Sequence, residues 1–189
     1  MEDFNVFVKS PTTGSHCLAA SATLFPAGWC MPARMGKSVT SLHEPVPLWE
    51  SRLSTSVEHY FTRLAPKSSM QRHYFFVQIE PPNCSLAELL FIQQGKDFFP
   101  GSRHVDMDHH SVIIRHERQT FRRLLRSDAI VFTVRTSLQR LTEVPEDQRA
   151  ALVQEIRNWP EEIARYKGRH VWDEVVVGWC LGGRLGGKG

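Results

Sequence analysis

An α+β fold, with an antiparallel sheet and flanking helices, is what this sequence predicts. Several segments alternate with the period of a strand, and others carry helix-period apolar stripes or helix start and stop signals. Their order is strand, helix, strands, then helices, which differs from the regular strand–helix alternation of a parallel sheet. The chain has 189 residues, 41% hydrophobic and 23% charged, the size and balance of one core-forming domain. That domain is expected to span 1–177, with 178–189 as a Gly-rich disordered tail.

The first strand is expected from His16 to Leu24, where His16, Leu18, Ala20, Ala22 and Leu24 share one face and Pro26-Ala27-Gly28 ends the run. Small residues there leave room for something bulky against the strand. A short turn-like segment follows Met31. Pro45 and Pro47 then bias Glu44 and Val46 away from the helical region, so His43 stands just before a stiff corner. Leu53, Val57, Tyr60, Phe61 and Leu64 recur at three- and four-residue spacing and predict an amphipathic helix closed by Pro66. From Arg72 to Glu80 alternation returns with apolar residues on both faces, which predicts a central strand.

Residues 81–111 read as a long loop around a short apolar piece at Leu86–Ile92. Strands are expected at Ser111–Arg118 and Ala129–Ser137, paired antiparallel and separated by a helical turn through Gln119–Leu124. Pro145, followed by Glu146 and Asp147, opens a helix that runs through Trp159 on a stripe of Leu152, Val153 and Ile156. Pro160, with Glu161 and Glu162 behind it, opens another, which Gly168 caps.

Composition excludes several classes. No stretch approaches the ~20 apolar residues of a membrane span, and the start Met1-Glu2-Asp3-Phe4 has no leader character, so a cytoplasmic location is expected. A net charge of +3 arises from 23 basic residues spread among 20 acidic ones. The densest basic run, from Arg115 to Arg126, sits in no nucleic-acid-binding motif, so no nucleic-acid partner and no membrane are expected. Cys17, Cys30, Cys84 and Cys180 form no C-x-x-C pair, which argues against a zinc knuckle, an iron–sulfur centre and covalent haem attachment. His104, Asp106, Asp108, His109 and His110 match no metal-ligand spacing and read as a solvated loop. Phosphate-loop, serine-elbow and H-E-x-x-H motifs are absent. Among nine histidines only His43 stands out, because two prolines fix the chain beside it at low entropic cost.

Several segments in order carry a resemblance to a known family: Leu24-Phe25-Pro26-Ala27-Gly28-Trp29, Gly36 with Leu42-His43-Glu44-Pro45-Val46-Pro47, Glu117-Arg118-Gln119-Thr120 with Arg122-Arg123-Leu124, Ser127 with Val131-Phe132-Thr133-Val134-Arg135-Thr136, and Tyr166-Lys167-Gly168. Together they are similar to the haem-dependent oxidative N-demethylase family, whose bacterial members act on small secondary amines such as dimethylamine. The resemblance implies a PAS-like sheet and non-covalent haem b. It also implies oxidative removal of a methyl group as formaldehyde with dioxygen, and a separate reductase or electron-transfer protein, since no flavin, iron–sulfur or nicotinamide motif is present. A non-catalytic PAS-like haem or small-ligand sensor is the alternative.

By the same resemblance, His43 matches the histidine of the family's I-H-x-P-V-P stretch and becomes the axial iron ligand. Arg118 and Arg135 become candidates for the haem propionates, with surface or salt-bridge roles open beside that one. Glu117 becomes the group that orients the amine or relays a proton. Family members carry a sizeable segment before the Phe-Pro-x-x-Trp region, so an incomplete, N-terminally truncated chain is implied. Arg72-His73-Tyr74 stands where the family tends to show Arg-x-Asn-Trp, and Leu125 replaces its usual proline, so substrate preference does not transfer.

Overall fold

The structure, a computed structural model, describes residues 2–25, 31–80 and 107–182. It contains a five-stranded antiparallel sheet in the order β2-β1-β5-β4-β3, formed by β1 (Glu2–Lys9), β2 (His16–Ala22), β3 (Ser69–Ile79), β4 (Val112–Arg123) and β5 (Ile130–Arg140). The helices are α1 (Val39–His43), α2 (Ser54–Arg63), α3 (Glu146–Arg157), α4 (Glu161–Tyr166) and α5 (Arg169–Cys180). This is the expected α+β class, and the sheet order is compatible with a PAS-like arrangement. The chain resolves into two compact units, Met1–Tyr74 with Glu117–Thr136 and Phe75–His116 with Ser137–Gly189.

β1 has no counterpart among the expected elements, because its polarity runs backwards. Asp3, Asn5 and Phe7 are buried, whereas Phe4 and Val8 are exposed. Asp3 accepts from the Leu24 amide at 2.7 Å, which satisfies a carboxylate that would otherwise be costly to bury. β1 pairs with β2 (Val6 opposite Ala20) and with β5 (Val6 opposite Val131), so it lies inside the sheet. β3, expected to be central, is instead an edge strand. Only its second half, from Phe76 to Ile79, is buried, and Gln71, Arg72 and His73 are exposed.

β4 continues through Arg123, where a helical turn over Gln119–Leu124 was expected. The polar residues that suggest a break are paired inside the sheet, and the turn comes later. Leu124 N donates to Ala129 O at 2.8 Å, and Asp128 adopts φ 57°. Helices α3 and α4 begin directly after Pro145 and Pro160 as predicted. Gly168 (φ 73°) ends α4 and at once starts α5, which the sequence reading missed. In α5 Trp172, Val176 and Cys180 repeat every four residues as one buried stripe, so helix replaces the first residues of the expected tail. Leu86–Ile92 and 183–189 lie outside the described residues.

Each unit has its own core. In the second, Val77, Ile79, Val112 and Ile114 pack with Val153, Ile156, Trp172 and Val176. In the first, Phe7, Leu18, Phe121 and Ile130 from the strands pack with Val39, Leu42, Trp49 and Phe61. Phe61, 2% exposed, meets Phe7 at 5.7 Å and Phe121 at 5.6 Å between ring centroids. Phe61→Ala is therefore expected to destabilise the protein by about 3–5 kcal/mol. Urea denaturation checks this, and a loss below about 1 kcal/mol would show that the cluster does not hold α2 on the sheet.

Candidate functional site

The site is built from a helix of barely more than one turn. Ser38 caps α1, its hydroxyl accepting from the Ser41 amide at 3.1 Å. His43 closes the turn, with Nδ1 2.8 Å from the carbonyl oxygen of Val39. A carbonyl only accepts, so Nδ1 carries the proton and, in the neutral ring, the lone pair is on Nε2. Past His43 the chain bends through Pro45 and Pro47 to Leu48, which takes the left-handed conformation at φ 61°. That bend returns Trp49 beneath His43, the two rings stacked at 4.0 Å and 13°. The chain does turn here, but Glu44 keeps helical angles (φ -46°, ψ -39°) as the C-cap of α1, against the expectation that Pro45 would push it out of that region; the left-handed residue is Leu48.

His43 is half-buried, and its surroundings disfavour charge. Its pKa is lowered from 6.5 to about 4, first by burial and then by the positive charges of Arg72 and Arg34, with the Val39 bond acting in the opposite direction. Arg34 is itself buried and donates through Nη1 to the carbonyl of Leu42. The imidazole is therefore neutral at pH ~7, as a metal-ligating nitrogen must be.

The sheet supplies the facing groups. Along β4 the residues Arg115, Glu117, Gln119, Phe121 and Arg123 are all buried, and Phe121 joins the core that holds Val39, Leu42 and Trp49. Strand alternation therefore turns Glu117 and Gln119 to the same side as α1. Gln119 Nε2 donates to Glu117 Oε2 at 2.9 Å, and Arg72 Nε donates to Gln119 Oε1 at 2.7 Å. The Arg72 guanidinium lies 5.6 Å from the centre of the Phe121 ring, and burial lowers its pKa. Arg72 is exposed as a whole residue, so it is the guanidinium end, crowded against Phe121 and Gln119, that loses hydration. Tyr60 meets Phe121 edge-on at 6.1 Å, and burial raises its pKa. Tyr60 Oη and Trp49 Nε1 are buried with no hydrogen-bond partner among the described residues.

Not every expected residue joins this set. Arg118 and Arg135 point to the opposite face of the sheet, the face on which Thr120 and Thr133 bond at 2.6 Å. Arg118 there pairs with Glu2 at 3.0 Å, and Arg135, exposed, lies opposite Glu2 in the β1–β5 register. The structure thus brings His43 and Glu117 to one face and separates both arginines from them. The cations that act on His43 are Arg72 and Arg34, which the sequence reading did not single out. Arg34 carries no motif signal, whereas Arg72 stands in the departing Arg72-His73-Tyr74 stretch.

A second anchored histidine has the hydrogen-bonded, structural role expected of a lone histidine on a strand. His16, 1% exposed, holds Glu58 Oε2 at 3.0 Å through Nδ1 and sits edge-on to Phe61. It is sealed in the core, whereas His43 reaches the surface. His73 and His116 are exposed and bonded to Gln71 and Gln139. Of the His/Asp loop, 104–106 lies outside the described residues, and among those described no three metal-ligating side chains gather.

The first unit is thus a sheet whose one face carries both the buried Glu117 and Gln119 and the helical turn with a neutral, half-exposed histidine. The family model for the haem-dependent oxidative N-demethylase, alpha subunit-like, matches residues 1–177, and the chain belongs to that family. No curated protein matches the chain in sequence. No helix among the described residues is long and apolar enough to cross a membrane.

The lowered pKa fixes the sign of a pH effect. Between about 4 and 6.5 the unfolded chain takes up a proton at His43 that the native state refuses, so stability is present above that window and is lost as pH falls through it. Between pH ~7 and ~4.5 the urea midpoint of the native protein is expected to fall more than that of His43→Gln. Equal losses in the two proteins would contradict burial of a neutral His43.

Proposed function

We propose that this chain holds haem b non-covalently through Nε2 of His43 and oxidatively demethylates a small secondary amine. The observation that carries the reading is the Nδ1–Val39 bond on a neutral ring, which puts the lone pair that iron needs on Nε2. The donor set fits the group: a neutral imidazole for iron, with Arg72, Tyr60 and Trp49 offering N–H and O–H groups to anionic propionates. Arg118 and Arg135 are left out of this assignment because they lie on the other face.

When bound, haem supplies dioxygen activation, which no protein side chain provides. The overall balance is one amine, one dioxygen, two electrons and two protons giving the demethylated amine, formaldehyde and water. The electrons come from a separate reductase. The chain's own part is placement. Glu117, buried on the inner face, accepts the N–H of the amine and orients its methyl group, and its carboxyl can receive or return a proton at nitrogen. Phe121 and Tyr60 give the site apolar walls that keep water from the reacting centre.

Reconstitution with haemin is expected to give a Soret band that His43→Ala loses or shifts. An unchanged band in that variant places the ligand elsewhere. With a reductase present, Glu117→Gln is expected to lower formaldehyde release by about 100-fold or more with the Soret band intact. A change of less than about twofold removes Glu117 from the reaction.

A further inference from the structure

Gln119 is one of the buried polar side chains of the inner face, and its bonds leave a single orientation for its amide. Arg72 Nε can only donate, so the Gln119 atom 2.7 Å away is the carbonyl oxygen. The amide nitrogen therefore faces Glu117 Oε2 at 2.9 Å and donates to it. Neither end can be exchanged without two like groups meeting, which fixes an assignment that an isolated amide leaves open. Arg72 stands on β3 and the other two residues on β4, so the relay ties the carboxylate to the neighbouring strand. Glu117 has three side-chain torsions, and a buried donor on one oxygen removes much of that freedom.

We infer that Gln119, anchored by Arg72, is a positioning residue that holds the Glu117 carboxylate in the orientation that receives the amine. This rests on the role given to Glu117 above. It assigns to the Gln of the Glu117-Arg118-Gln119-Thr120 block a duty separate from that of its neighbours. Glu117 and Gln119 form the inner pair, while Arg118 and Thr120 belong to the outer face.

A double-mutant cycle tests it, with dimethylammonium chloride titrated calorimetrically into the haem-loaded chain. Gln119→Met keeps the length of the side chain and removes both bonds. It is expected to weaken binding about tenfold in the native background and by less than about twofold in Glu117→Gln. A purely structural Gln119 would leave the native affinity unchanged or lower both backgrounds equally, and either result overturns the inference while leaving the role of Glu117 standing. If Glu117→Gln itself binds as tightly as native, the role of Glu117 falls and the inference with it. Should Gln119→Met not give a cooperative thermal transition, Gln119→Asn serves in its place. Its amide is too short to span both partners, and the same background dependence is expected.

Discussion

One hydrogen bond within a single helical turn governs the site. Because Nδ1–H of His43 donates to the carbonyl oxygen of Val39, the ring is fixed in both orientation and tautomer. Everything around it supports that state. The Ser38 cap starts the turn, Pro45 and Pro47 stop it, and the left-handed Leu48 lets Trp49 return and stack on the ring. Burial with Arg72 and Arg34 then holds the imidazole neutral. A more exposed histidine in the same turn would be partly protonated near neutral pH and would compete poorly for iron.

The sheet meets this histidine with an unusual surface. A buried strand face is ordinarily apolar, yet β4 turns Arg115, Glu117, Gln119 and Arg123 inward beside Ile113 and Phe121. Burying such groups costs several kcal/mol unless each finds a partner. The Arg72–Gln119–Glu117 relay is one solution. Another is Arg123, whose guanidinium donates to the Leu64 carbonyl at 2.6 Å and to the carbonyl of Phe61, tying the end of α2 to the sheet. The same bonds that satisfy the buried charges therefore fix the helix that carries Tyr60.

The outline of the fold was legible because most elements obey simple periods. β2, β5, α2 and the proline-started α3 and α4 announce themselves through alternation, apolar stripes and caps. What failed to show was polarity set by tertiary partners. β1 buries Asp3 and Asn5 and exposes Phe4, so its alternation points the wrong way until the Leu24 amide and Thr23 hydroxyl appear as partners. The second half of β4 reads as charged surface for the same reason. The prolines and motif singled out His43, and its block singled out Glu117, but which groups surround each residue depends on tertiary packing. Strand alternation separates Arg118 from Glu117, its neighbour in sequence, and the pairing of β3 with β4 brings in Arg72.

The decisive property of the site is the state of the His43 ring in the protein without haem. Long-range proton–nitrogen correlation spectra of the imidazole at pH ~7 report it directly. The predicted result is a neutral ring with the proton on Nδ1 and an unprotonated Nε2. A proton on Nε2, or an imidazolium, would mean that the bond to Val39 does not define the site and that His43 is not prepared to receive iron.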